Sequence, residues 1–127
     1  MLLIEADQSL RTLLCRVLQE NGYLVHEASQ RQEALAELHR EHPDLVLLGS
    51  SRAVPSDFEL YQELRCHTQA PIIMSSTWPQ REHTRYIEPN TNDTYIPMPF
   101  RAQQLMDCIS LVLQATTSNA LQLLPHN

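Results

Sequence analysis

Short apolar runs and amphipathic stretches alternate along the whole chain. Met1 to Glu5 is an apolar run too short for a helix and reads as a strand. Leu10, Leu13, Leu14, Val17 and Leu18 then recur at i, i+3, i+4, i+7 and i+8, which marks one face of a helix. Asp7 or Ser9 supplies its N-cap, and Asn21-Gly22 stops it, because glycine takes the left-handed conformation cheaply. Tyr23 to Ala28 reads as a second strand, and Ser29 to Glu41 as a helix with Ala34, Leu35 and Leu38 inward. The run Leu45-Val46-Leu47-Leu48 is continuous rather than alternating, as suits a central strand covered on both faces. Polar residues from Ser50 to Ser56 lead into a helix carrying Phe58, Tyr61 and Leu64, and Pro71-Ile72-Ile73-Met74 is a fourth strand. Trp78 to Asp93 holds a weaker helix that Pro79 opens and Pro89 ends. Thr94-Tyr95-Ile96 is the last strand, and after Pro99 a helix turns Leu105, Cys108, Ile109, Val112 and Thr116 inward.

Five strands alternating with five helices imply an α/β sandwich, a parallel sheet with helices on both faces. Right-handed crossovers leave few topologies. The flavodoxin-like, doubly wound (βα)5 arrangement with strand order 2-1-3-4-5 is the natural one, and it places functional groups at the carboxyl ends of strands one and three. The periodic pattern covers residues 1–114. Residues 115–127 form a tail, either a helix extension or the start of a linker.

Composition narrows the function. A chain of 127 residues is one domain by length, large enough for a core without disulfides. A formal net charge of -6 without a basic block argues against nucleic acid as a partner. Cys15, Cys66 and Cys108 stand at unrelated spacings that support neither a disulfide framework nor a zinc quartet. No apolar run approaches the ~20 residues that span a bilayer, and no leader pattern opens the chain, so a soluble, cytoplasmic protein is expected. His39 and His42, near a predicted helix end, answer the helix dipole rather than hold a metal. With two glycines the chain builds no phosphate-cradling loop, and no nucleophile–base motif is visible, so neither a cofactor nor an enzyme is expected.

The specific signal begins at Pro43-Asp44-Leu45-Val46-Leu47-Leu48, followed by Gly49. In this setting the chain resembles the receiver domains of two-component response regulators. In that family the position of Gly49 carries an aspartate that accepts a phosphoryl group from a histidine kinase. Met1 to Asp7 is similar to the family's opening strand and acidic turn, where two acids hold a magnesium ion; here the first is Glu5 and the second is Ala6. Asp7 falls one place later and reads as a cap. Ser76 stands at the hydroxyl position that senses the phosphoryl group, and Met98 replaces the lysine before the last proline. Tyr95 keeps the aromatic switch, and the resemblance implies a cis Met98–Pro99 peptide bond.

Phosphoryl transfer depends on positioning and on neutralising charge around the transferred group. The acceptor, one metal ligand and the cation are all replaced, by Gly49, Ala6 and Met98. The replacements agree with one another, because a buried cation without partners costs about 3–5 kcal/mol, which an apolar Met98 avoids. The resemblance then implies a degenerate pseudo-receiver with no metal, acting by protein–protein contact in a two-component or phosphorelay context. A protein partner or a homodimer would dock on the face made by the fourth predicted helix, fifth strand and fifth helix. Trp78, Tyr86, Tyr95 and Phe100 would supply its aromatic patch, aromatics being enriched at interfaces. The alternative is a small-molecule sensor using the emptied acidic pocket around Glu5, Gly49, Ser76 and Met98, since ligands favour the carboxyl ends of such strands.

Overall fold

A computed structural model describes residues 1–50, 55–77 and 92–122. The apolar runs become β1 (Leu2–Ile4), β2 (His26–Ala28), β3 (Val46–Ser50), β4 (Ile72–Ser76) and β5 (Thr94–Pro97). All pair in parallel in the order β2-β1-β3-β4-β5, the doubly wound order that the alternation implied. The described helices are α1 (Gln8–Glu20), α2 (Arg31–Glu41), α3 (Pro55–His67) and α4 (Ala102–Gln122).

Side chains alternate across a strand, so each buried strand feeds two cores. Leu2, Ile4, Val46, Leu48, Ile72 and Met74 pack with Ala34 and Leu38 of α2 and Phe58, Tyr61 and Leu64 of α3. Leu3, Leu47 and Ile73 face the other way, onto Leu14 and Leu18 of α1 and Leu105 and Ile109 of α4. The unbroken apolar run at 45–48 therefore lies in the middle of the sheet, covered on both faces, as expected.

Local signals act where the chemistry requires. Asp7 is the N-cap of α1, its Oδ1 accepting the Leu10 N–H at 2.9 Å, and Ser9 lies within the helix. Gly22 follows α1 with φ 90°, the left-handed conformation that ends a helix. At the opposite edge, the fully buried Asp93 carboxylate gathers α3, β4 and β5. It accepts from the Tyr61 hydroxyl, the Arg65 guanidinium and, at 2.8 Å, the Ile72 N–H.

Some boundaries differ from the sequence reading. β2 begins at His26 rather than Tyr23, because Tyr23 to Val25 lie beyond its pairing with β1. Leu13 is 58% exposed, since the stripe of α1 that meets the sheet runs through Leu14, Cys15 and Leu18. Ser50 belongs to β3, paired with Ser76, rather than to a loop. α4 continues across the 114/115 boundary to Gln122, which makes the first part of the tail a helix extension. Trp78 and Tyr86, and nearly all of the weak helix expected around them, fall outside the described residues.

Candidate functional site

The parallel sheet brings its carboxyl ends to one edge of the molecule. Glu5 directly follows β1, Gly49 and Ser50 close β3, Ser75 and Ser76 close β4, and Met98 follows β5. Register places Gly49 beside Ser75 and Ser50 beside Ser76. The Met98 N–H donates to the Ser76 carbonyl at 2.9 Å, which holds the chain after β5 against the end of β4. The Met98–Pro99 peptide bond is cis, as the resemblance implied.

Glu5 is the charged member of this cluster and is 1% exposed; Ser50, Ser75 and Ser76 are buried with it. Leu3 and Leu47 belong to one core, so Glu5 and Gly49, each two positions further on, leave the sheet toward the same side. The consequence is a direct competition for space. A Cβ built on Gly49 would lie 2.5 Å from Glu5 Oε1, 3.1 Å from Glu5 Cδ and 3.4 Å from the Ile4 carbonyl oxygen. The carboxylate of Glu5 thus occupies the volume that any side chain at position 49 would need. Its other oxygen, Oε2, accepts the Asp7 N–H at 2.9 Å, and the Glu5 carbonyl accepts from Arg11 Nη1 at 2.8 Å. β1, the following turn and α1 are thereby tied together at this edge.

The remaining residues singled out from the sequence separate. Ala6 is exposed and offers no ligand atom, and the Asp7 carboxylate is engaged in capping α1. Ser50 Oγ donates to Asp57 on α3. Magnesium takes near-octahedral oxygen coordination, commonly from carboxylates and waters. Among the described residues at this edge, the Asp7 carboxylate caps α1, that of Asp57 is bonded to Ser50, and Glu5 is the buried acid beside Gly49. Within the site expected around Gly49, Glu5 takes the space immediately next to the glycine.

Tyr95 and Phe100 do not share one core: Tyr95 packs against the α2/α3 side and Phe100 against the α1/α4 side. Tyr95 also lines an open groove of about 520 Å³ between β5 and α4, together with Thr94, Gln104, Asp107, Cys108 and Leu111. Leu111 is 67% exposed. Its signal in the sequence was an apolar residue off the stripe defined by Leu105, Ile109 and Val112. Burial pushes the Cys108 thiol above the usual range, and burial followed by the nearby Glu27 carboxylate does the same at Cys15.

The family described as "Response regulator receiver domain" matches residues 1–110. Chemotaxis protein CheY of Halobacterium salinarum is 32% identical over 116 residues, covering 90% of this chain and 96% of that protein. The uncharacterized transcriptional regulatory protein YvcP of Bacillus subtilis is 33% identical over 115 residues, covering 91% of this chain and 48% of the relative. The phosphate regulon transcriptional regulatory protein PhoB of Escherichia coli is 26% identical over 125 residues, covering 95% and 54%. The chain spans about half the length of these two regulators. In fold it resembles the crystal structure of a CheY-like receiver domain protein from Methanospirillum hungatei. The TM-score is 0.80 at 21% identity, over 93% of this chain and 95% of that one. By its match over nearly its whole length, the chain belongs to the response regulator receiver domain family.

Proposed function

We propose that this receiver domain transmits signals by protein–protein contact, in the cytoplasm, without being switched by aspartyl phosphorylation. One observation carries the reading. The Glu5 carboxylate stands in the space next to Gly49, where the family's acceptor side chain would be. Two sequence facts support it. Met98 replaces the cation of the family, and all nine basic residues of the chain are arginines, so no lysine is present to take its place. Phosphoryl transfer needs an acceptor in line with the leaving group, a bound metal and a cation to neutralise charge; here the family's acceptor, one of its two metal-binding acids and its cation are replaced, by Gly49, Ala6 and Met98. The domain then acts as a binding module with no catalysis of its own. Sensing of a small molecule at the same edge is the weaker reading, because Glu5 takes the space next to Gly49 that a ligand would otherwise enter.

For the docking surface we assign the β5–α4 groove with Tyr95 and the exposed Leu111, occupied by a protein partner or a second copy. An exposed leucine beside an apolar groove is the kind of feature that marks an interaction site. The net charge of -6 does not suit nucleic acid as the occupant.

Incubation with acetyl phosphate and magnesium, followed by intact-mass measurement, tests the first part. The expected spectrum shows the unmodified mass alone. A stable single phosphate would overturn the reading, and peptide mapping would identify the new acceptor. For the surface, Leu111→Arg is expected to abolish concentration-dependent self-association or partner capture while leaving the unfolding midpoint within experimental scatter. Unchanged association in that variant would remove α4 from the interface.

A further inference from the structure

We propose that His26, Glu37 and Glu41 form a surface site for a divalent transition-metal ion of the zinc class, far from the carboxyl edge of the sheet. His26 opens β2, the edge strand. Glu37 and Glu41 are four residues apart on α2, so they share the helix face that covers that strand. One ligand atom from each of the three residues lies within 4.8 Å of the others. The Glu41 Oε2 to His26 Nε2 distance is 3.3 Å, and Glu37 Oε2 is 4.0 Å from His26 Nδ1. Ligands on a tetrahedral ion with bonds of ~2.0–2.1 Å stand about 3.3 Å apart. The Glu41–His26 pair already has that spacing at Nε2; the 4.0 Å contact of Glu37 is to the other ring nitrogen, so its carboxylate must turn from Arg40 to join Glu41 on one ion.

The surroundings have room for an ion. All three side chains are partly buried, so access is open but water is reduced. They stand on two regular elements whose relative position the core sets, which is what holds a ligand geometry. A hollow of about 370 Å³ adjoins the cluster, lined by His26 and Glu41 and, next to them, His42 and Asp44. It gives room for the water or further ligand that completes a coordination shell. Arg40 bridges to Glu37 at 2.6 Å and to Glu41 at 3.5 Å, and this exposed guanidinium is the resident cation that a metal would displace or share. One imidazole nitrogen with two carboxylate oxygens selects zinc-like ions over magnesium or calcium, which take oxygen ligands alone. Bound metal would fasten the short edge strand to α2.

Isothermal titration of the whole chain with zinc chloride tests the proposal, with Cys66→Ser as a parallel protein because Cys66 is the exposed thiol. One equivalent is expected to bind in both, with affinity falling at least tenfold in His26→Gln and in Glu41→Gln and holding in His39→Gln. Circular dichroism on each variant separates lost binding from lost folding, and Glu37→Gln provides a second ligand variant if His26→Gln does not fold. Absence of saturable binding up to 1 mM zinc would overturn the site, as would binding that survives His26→Gln or disappears in Cys66→Ser.

Discussion

Replacing Gly49 by alanine adds a single methyl group at the point where the structure is tightest. That carbon would sit 2.5 Å from Glu5 Oε1, whereas its contact to the Ile4 carbonyl oxygen, 3.4 Å, is tolerable. The backbone stays put and the carboxylate must withdraw by about 1 Å to reach ordinary van der Waals distance. Withdrawal breaks the Asp7 N–H to Glu5 Oε2 bond of 2.9 Å. A hydrogen bond to a charged group contributes about 1.5–3 kcal/mol. Against this, alanine at a compatible strand position stabilises by about 0.4–1 kcal/mol through the unfolded chain. Gly49→Ala should therefore destabilise by about 1–2 kcal/mol, the difference of those two effects. In a Glu5→Ala background the space is free, and the same substitution should be neutral or stabilising by up to about 1 kcal/mol. Urea unfolding of the two single variants and the double variant closes the cycle, with an expected coupling of about 1.5–3 kcal/mol, within the range seen for touching residues. Additivity within about 0.5 kcal/mol, or a Gly49→Ala protein as stable as the parent, would refute the claim that Glu5 and position 49 compete for one volume.

Other consequences can be measured on the same protein. Asp93→Ala takes the counter-charge from the largely buried Arg65, which keeps the Thr68 and Ala70 carbonyls, and removes an acceptor of the Tyr61 hydroxyl and the Ile72 N–H, so chemical unfolding should show a loss of about 3–5 kcal/mol. In a thiol-labelling time course at pH 8, Cys66 should react first. Cys15 and Cys108 should lag by at least tenfold, because burial keeps both thiols protonated; equal rates at all three would contradict their burial. Asp7→Ala removes the N-cap of α1 and should cost about 1 kcal/mol in thermal unfolding, with Asp7→Asn restoring most of it.

Most of the architecture was legible from the residues alone. The unbroken run at Leu45–Leu48 and the stripes at Leu14/Leu18 and Leu105/Ile109 each bury one predictable face, and burial periodicity is a property of short stretches of chain. Where several rotations of a helix satisfy the same pattern, packing chose: Leu13 faces water although its spacing fits the α1 stripe. The replacements at Ala6, Gly49 and Met98 were likewise visible, because they are departures from a linear motif. What stands in the space beside Gly49 was not. That Glu5 fills the space beside Gly49 depends on β1 and β3 being neighbours with matched parity, a relation between residues more than forty positions apart. His26 with Glu37 and Glu41, and Asp93 with Tyr61, Arg65 and Ile72, are of the same kind. Spacing announces only the pairs within one helix, Glu37 with Glu41 and Tyr61 with Arg65; the residues that complete each cluster lie on other elements, and only the folded sheet sets the ångström-scale distances on which charge and ligand chemistry depend.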